Sequence, residues 1–361
     1  MRKIVCILSL ALSMTILASC SDIKDQPQAK ETSPQETNTP TVDGTASEIE
    51  TDTIESSIDI ETEADTEKET EAINETPSSE FIYKENDDGT ITISKYTGSS
   101  TDVVVPSTID GKNVTEIGAW CFQLNRTLIS VTLPDSIVKI GSGAFVACSA
   151  LTKVELPPHL AYIGGSAFEY CTNLSNIVLP NTLTYIGTRA FAECSALKSV
   201  VLPSKLVDCG EEIFNGAGIE TVEFENGLEV IPVAAFANTQ LKTVVLPSSI
   251  RILGASAFAG CNQLLSITLN DGLISVGNHS RAGASQLTEI IIPASVNDIT
   301  ELAFDMCRAL QKVKFEGNAP QAYVYAIEGM EAYDVDYIVY YHADKIGFTS
   351  PEWNGYSTEL W

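Results

Sequence analysis

The sequence predicts a β-rich solenoid of about nine stacked units of 22–23 residues, each with one short strand, closed by a β cap at either end. Three observations predict it. An aromatic column recurs at this period: Phe122, Phe145, Phe168, Phe191, Phe214, Phe236, Phe258 and Phe304, with Arg281 in the eighth place. A leucine column (Leu128, Leu151, Leu174, Leu197, Ile219, Leu241, Leu264, Leu287, Leu310) is followed by Val or Ile, from Val131 to Val313, and then by an apolar residue, from Leu133 to Phe315. Residues 1–80 carry none of this register and read as a signal peptide with a disordered acidic linker. Self-similarity at a fixed period means units that stack, because one unit alone is too small to bury its apolar face.

The elements follow in order. Arg2 and Lys3 precede an apolar run from Ile4 to Leu17, the length of a signal-peptide core and short for a membrane span. The run ends in Leu17-Ala18-Ser19-Cys20, which resembles the bacterial lipobox. That resemblance implies cleavage after residue 19 and a diacylglyceryl group on Cys20, whose two chains suffice for stable anchoring at the outer side of a cell membrane. Residues 20–80 form the spacer. They hold 18 Asp and Glu against three Lys and no aromatic residue, so they bury too little apolar surface to offset chain entropy. A flexible chain of this length spans about 45 Å. Residues 81–113 read as an amino-terminal cap, 114–320 as the repeats and 321–361 as a carboxy-terminal cap.

One unit shows the physics. Leu151, Val154 and Leu156 are apolar, and Lys153 and Glu155 alternate with the last two as strand neighbours of period two. Pro157 ends the strand because it has no N–H for a ladder. Leu160 and Ile163 face inward along an irregular return, and Gly164 stands where the chain needs a special conformation or a close approach. Ala167 and Phe168 fill the far side. The motif Leu-x-x-Val-x-Leu-Pro, then Ile-Gly, then Ala-Phe-x-x-Cys, as in Leu151 to Cys171, resembles the BspA-like leucine-rich repeats, also called the TpLRR type. The lead-in from Gly89 to Gly118 and the exit from Tyr340 to Tyr356 also look like that family, so the resemblance covers about residues 81–361. It implies a leucine-rich-repeat solenoid on a bacterial surface protein, often one that adheres or binds protein, with no catalytic residues and no cofactor.

Departures from the pattern mark weak points. Arg281 cannot fill a dry aromatic site, so that part of unit eight is expected to open to water or to find a carboxylate. Pro232 and Thr300 replace Gly, and units five and six each lose one residue. Local irregularity is expected there, without a break in the array.

Candidate chemistry is sparse. Cys148, Cys171, Cys194, Cys261 and Cys307 share a column with Asn125, Ala217, Thr239 and Ala284, which suggests a tight core site for reduced thiols. Disulfides between stacked neighbours remain conceivable at a spacing of about 5 Å, but the seven cysteines after Cys20 leave an odd one. No C-x-x-C pair exists and no His is placed to join a metal site. His159 and His279 fall in variable turns and His342 in the cap, so no nucleophile and base share neighbouring units. The net charge of −27 disfavours nucleic acid and anionic lipid.

One column carries functional content. Between the Val and Leu columns stand Thr132, Glu155, Val178, Val201, Glu223, Val245, Thr268, Ile291 and Lys314, expected to project outward from the sheet. Val178, Val201, Val245 and Ile291 are apolar where water alone favours polar residues; strand propensity explains this on its own, and so does a contact surface. Glu155, Val178, Val201, Glu223, Val245 and Ile291 are therefore the candidate ligand-binding residues. The expectation is an envelope-anchored protein that binds an extracellular protein or glycan, as an adhesin does. A self-associating envelope scaffold is the alternative, and a polysaccharide hydrolase is the third reading.

Overall fold

The computed structural model describes residues 74–277, 286–299, 303, 307, 309–322 and 338–361. Cys20, most of the linker, His279, Arg281, Thr300 and Phe304 lie outside the described residues. Among the described residues a unit runs through a front segment, a strand in all units but the third, then a turn, a short return and an aromatic arm. The front strands stack in parallel in the expected register, with Val131 opposite Val154, Val200 opposite Val222, Val244 opposite Ile267 and Ile290 opposite Val313.

The return corrects the expectation of one strand per unit. Lys139–Ile140, Tyr162–Ile163, Tyr185–Ile186 and Asp208–Cys209 form a second parallel ladder. Val230–Ile231, Ile252–Leu253, Ser275–Val276, Asp298–Ile299 and Gln321–Ala322 form its continuation. The glycine column makes this possible. Gly141, Gly164, Gly187 and Gly210 donate their N–H to the Ile carbonyl of the preceding unit at 2.7–2.8 Å. A Cβ on Gly141 would stand 2.6 Å from the Ala119 nitrogen, so close approach is what requires glycine there. The ladder stops between Cys209 and Val230. Pro232 occupies the glycine place at this step and has no N–H to give. At Gly254 the bond resumes, to Ile231 at 2.8 Å.

The aromatic arm is a third ladder of another kind. Phe145, Phe168 and Phe191 donate to Ala167, Ala190 and Ile213 of the next unit at 2.8 Å, while alternate residues close turns within their own unit. Such turns place two residues per unit at positive φ, two before and two after the Phe: Ser166 (54°) and Tyr170 (60°) flank Phe168, and Arg189 (58°) and Glu193 (61°) flank Phe191. Inside, Phe122 to Phe258 stack with ring centroids 4.9–5.7 Å apart and planes within 15°.

Among the described residues the cysteines form no disulfide; Cys121, Cys148, Cys171, Cys194, Cys261 and Cys307 are buried and Cys209 is half-buried. Cys148, Cys171, Cys194 and Cys261 place Sγ 3.1–3.2 Å from the Phe carbonyl of the preceding unit. The column is therefore a small hydrophobic site that also donates an S–H to a buried acceptor. Thr239, in the same column, donates its hydroxyl to the Phe236 carbonyl of its own unit, at 2.9 Å. Burial pushes Cys148, Cys194 and Cys209 up to about 12 and Cys261 to about 11, and raises Cys121 and Cys171 as well. Without thiolate there is no nucleophile for disulfide exchange.

Both ends are covered. Phe81–Glu85 pairs antiparallel with Ile91–Tyr96, which stacks on Lys112–Ile117. Tyr96 continues the aromatic column, 5.2 Å from Phe122. Thr76 closes the first front edge: its N–H donates to the Val104 carbonyl at 2.9 Å, and its hydroxyl accepts from the Val104 N–H at 3.0 Å. Glu75 accepts from the Ser107 N–H at 3.0 Å. Residues 74–80, assigned to the spacer on composition, thus belong to the cap. At the other end Ile338–Tyr341 and Tyr356–Leu360 extend the front ladder beyond Lys312–Phe315. Covered edges are what a solenoid needs to avoid pairing with further chains.

Candidate functional site

Strand register fixes which front side chains face solvent. Val104, Thr132 and Glu155 lie opposite one another in successive strands, as do Val201 and Glu223, Val245 and Thr268, and Ile291, Lys314, Tyr340 and Glu359. The outward column runs in four paired blocks, with no strand pairing at Val178, between Glu223 and Val245, or between Thr268 and Ile291, and its outer blocks reach both caps, whose members Val104, Tyr340 and Glu359 the sequence analysis did not include. The cap strands lack the repeat motif, so only the pairing identifies them. All six candidates are exposed; Val178 is 71% and Val245 66% accessible. Their neighbours Ile177, Val200, Val244 and Ile290 are buried, as period two requires.

Charge divides this face. In units three and four it presents Asn176, Val178, Ser199 and Val201, with half-buried Pro180 beside them, and none of these is charged. The lysines around that centre are paired. Lys153 meets Glu155 at 2.6 Å, and Lys198 and Lys242 meet Glu220 at 3.4 and 2.7 Å. The hydrogen bond from Lys242, with that from Lys198, holds the Glu220 carboxyl below the usual carboxylate range. Lys314 bonds Glu289 at 2.8 Å and lies 5.0 Å over the Trp361 ring, which also stacks on His342. The pairs of Lys153, Lys198 and Lys242 are solvated and contribute little stability. What they do is cancel charge beside the apolar centre.

The front ladder opens at that centre. Residues 176–179 form no strand, and no backbone hydrogen bond joins them to either neighbouring unit. A depression of about 340 Å³ lies between units two and three, lined by Lys153, Glu155, Asn176, Val178 and Pro180. A smaller one of about 160 Å³ separates units three and four, between Val178 and Val201. A third, of about 380 Å³, lies where Thr268 and Ile291 face each other across another unpaired step. Nothing in the residues of unit three distinguishes it from its neighbours. No aromatic residue lines any of the three depressions.

The histidines stay apart: His159 is exposed in its turn and His342 is in the cap. Among the described residues no group of three or more His, Cys, Asp and Glu stands ready to hold a metal ion.

A family model for the BspA type leucine rich repeat region matches in six copies, over residues 115–242 and 229–337. Among solved structures, the chain is similar to the T. pallidum leucine rich repeat protein TpLRR, at 32% identity, covering 59% of this chain and 91% of that one, with a TM-score of 0.48. A Bacteroides ovatus leucine-rich repeat protein is 19% identical over 78% of this chain and 98% of its own, with a TM-score of 0.39. The pneumococcal vaccine antigen PcpA is 18% identical over 73% and 92%, with a TM-score of 0.36. No curated protein matches the chain.

Proposed function

This chain belongs to the BspA type leucine rich repeat family, and on that premise we propose that it is a lipid-anchored surface protein whose front strand face binds an extracellular protein, as an adhesin does. One observation carries the reading: the uncharged centre around Val178 and Val201, on a chain of net charge −27. Exposed apolar side chains with neutral polar neighbours suit the core of a protein interface, where charged residues are depleted. Asn176, Ser199, Thr221 and Thr243 are exposed beside the column and supply a polar rim. A standard interface takes about 800 Å² from each partner, so the contact extends beyond the valines to these positions. The anchor is Cys20, with the linker holding the solenoid away from the membrane.

The test is binding of the whole chain to immobilised extracellular-matrix proteins, with sedimentation of the unbound chain alongside. Binding to at least one such protein by a monomeric chain is the expected result. A chain that binds none of them and self-associates is instead an envelope scaffold. Replacing Cys20 by Ala should release the protein or leave an uncleaved precursor, which detergent phase partition and the mass of the chain show.

A further inference from the structure

Two positions in each described unit of the aromatic arm sit at positive φ. Many are small or polar, from Gly143 and Ser166 to Gly260, and Arg189, Glu193 and Glu212 hold the same conformation with charged side chains. At the amino-terminal end they are instead Trp120 (62°), Leu124 (60°) and Tyr170 (60°), which are 49%, 59% and 46% exposed. L side chains with bulk rarely adopt this conformation, and strained positions of this kind concentrate at functional sites. None of the three fills the core. The repeated turn sets their backbone and the core does not call for them, so bulk left in water is what needs an explanation.

The indole of Trp120 lies on Gly143, where a Cβ would collide with its six-membered ring. Glycine at that place lets the ring rest on backbone while half of the residue remains in water. Among the described residues neither Trp120 nor Tyr170 has an aromatic or cationic neighbour, and neither the indole N–H nor the phenol O–H has a hydrogen-bond partner. Open rings with free polar ends fit a ligand that presents C–H faces and hydroxyl groups together. Exposed Gln123 and Ser142 lie in the same arm and add neutral hydrogen-bonding groups. Trp120 and Tyr170 stand two units apart, on the order of 10 Å along the axis at a spacing of about 4.8 Å per unit. One sugar ring cannot reach both.

We propose that Trp120, Leu124 and Tyr170 form a platform for a neutral oligosaccharide of several rings, on a side of the solenoid separate from the front strand face. The net charge of −27 disfavours acidic sugars. This site stands whether or not the front face binds protein.

The test is the labelled whole chain on an array of neutral glucans, mannans, xylans and galactans, with sialylated and sulfated sugars beside them. Neutral oligosaccharides should be retained in preference to acidic ones. Trp120→Gly with Tyr170→Gly should reduce that signal at least about tenfold, whereas Trp120→Phe should keep most of it. The thermal midpoint of the double glycine variant should be unchanged or higher, because glycine suits positive φ. Absence of any neutral-sugar signal, or an equal signal from the double variant, overturns the proposal. So does a clear fall in the midpoint, which makes the rings structural, or loss of sugar binding only on charging Val178 and Val201.

Discussion

Above pH 9 the solenoid should lose stability steeply, by up to about 8 kcal/mol for each further pH unit. The cause is six thiols that burial holds protonated, five of them fully inside (Cys121, Cys148, Cys171, Cys194 and Cys261) and Cys209 half-buried. In the unfolded chain a thiol releases its proton at about 8.5. In the folded chain burial holds the proton up to about 11 at Cys261 and about 12 at Cys148, Cys194 and Cys209. The unfolded state therefore binds fewer protons than the folded state above pH 9, and stability falls as pH rises. Each thiol contributes about 1.4 kcal/mol per pH unit in that window and nothing below it. A margin of about 5–15 kcal/mol does not survive this beyond about pH 11. Urea titrations at about pH 8, 9.5 and 10.5 measure the slope. Replacing Cys148, Cys171, Cys194 and Cys261 by Ala, the residue that Ala217 already places in this column, should remove about two-thirds of it. Stability that stays flat to pH 11 contradicts the buried-thiol column.

Phe168→Ala should cost about 3–5 kcal/mol, the range for truncating a buried aromatic. Phe168 is fully buried, with Phe145 at 5.1 Å and Phe191 at 5.2 Å on its two faces. Its removal leaves a cavity and unstacks two ring pairs, each of which adds about 0.5–1.5 kcal/mol beyond area burial. Units touch only their neighbours, so the coupling should be local. Phe168→Ala with Phe191→Ala should cost less than the sum of the two, while Phe145→Ala with Phe236→Ala should add. Denaturant titration of the four single and two double variants decides this, and a loss below about 1 kcal/mol for Phe168→Ala contradicts the packing.

Most of the frame is legible in the sequence because each column answers one physical demand. The Leu, Val and Phe columns are the buried ones, and Gly164 marks a close approach. Pro232 marks the step where the return ladder stops. The second ladder was not legible, since two residues such as Tyr162–Ile163 are too short to show a period of two. Left-handed backbone on the arm had a partial signal in Gly143, Gly216, Asn238 and Gly260, hidden because Trp120, Tyr170, Arg189 and Glu193 hold the same places. Glu75 and Thr76 read as spacer because their role rests on hydrogen bonds to Ser107 and Val104, about 30 residues away, and composition does not report such pairs. For the front face, exposure of Val178, Val201, Val245 and Ile291 follows from alternation alone. The open ladder at residues 176–179 does not, because unit three repeats the residues of its paired neighbours.

Binding by the variant Val178→Asp with Val201→Asp tests the front face most directly. Both side chains already stand in water, so the charges cost little until a partner covers them. The double variant should keep the wild-type melting temperature and lose at least about a hundredfold in affinity for the matrix protein that the wild-type chain binds. A variant that stays folded and binds that protein as wild type does contradicts the assignment of this face, and a variant that unfolds contradicts the outward placement of the valines.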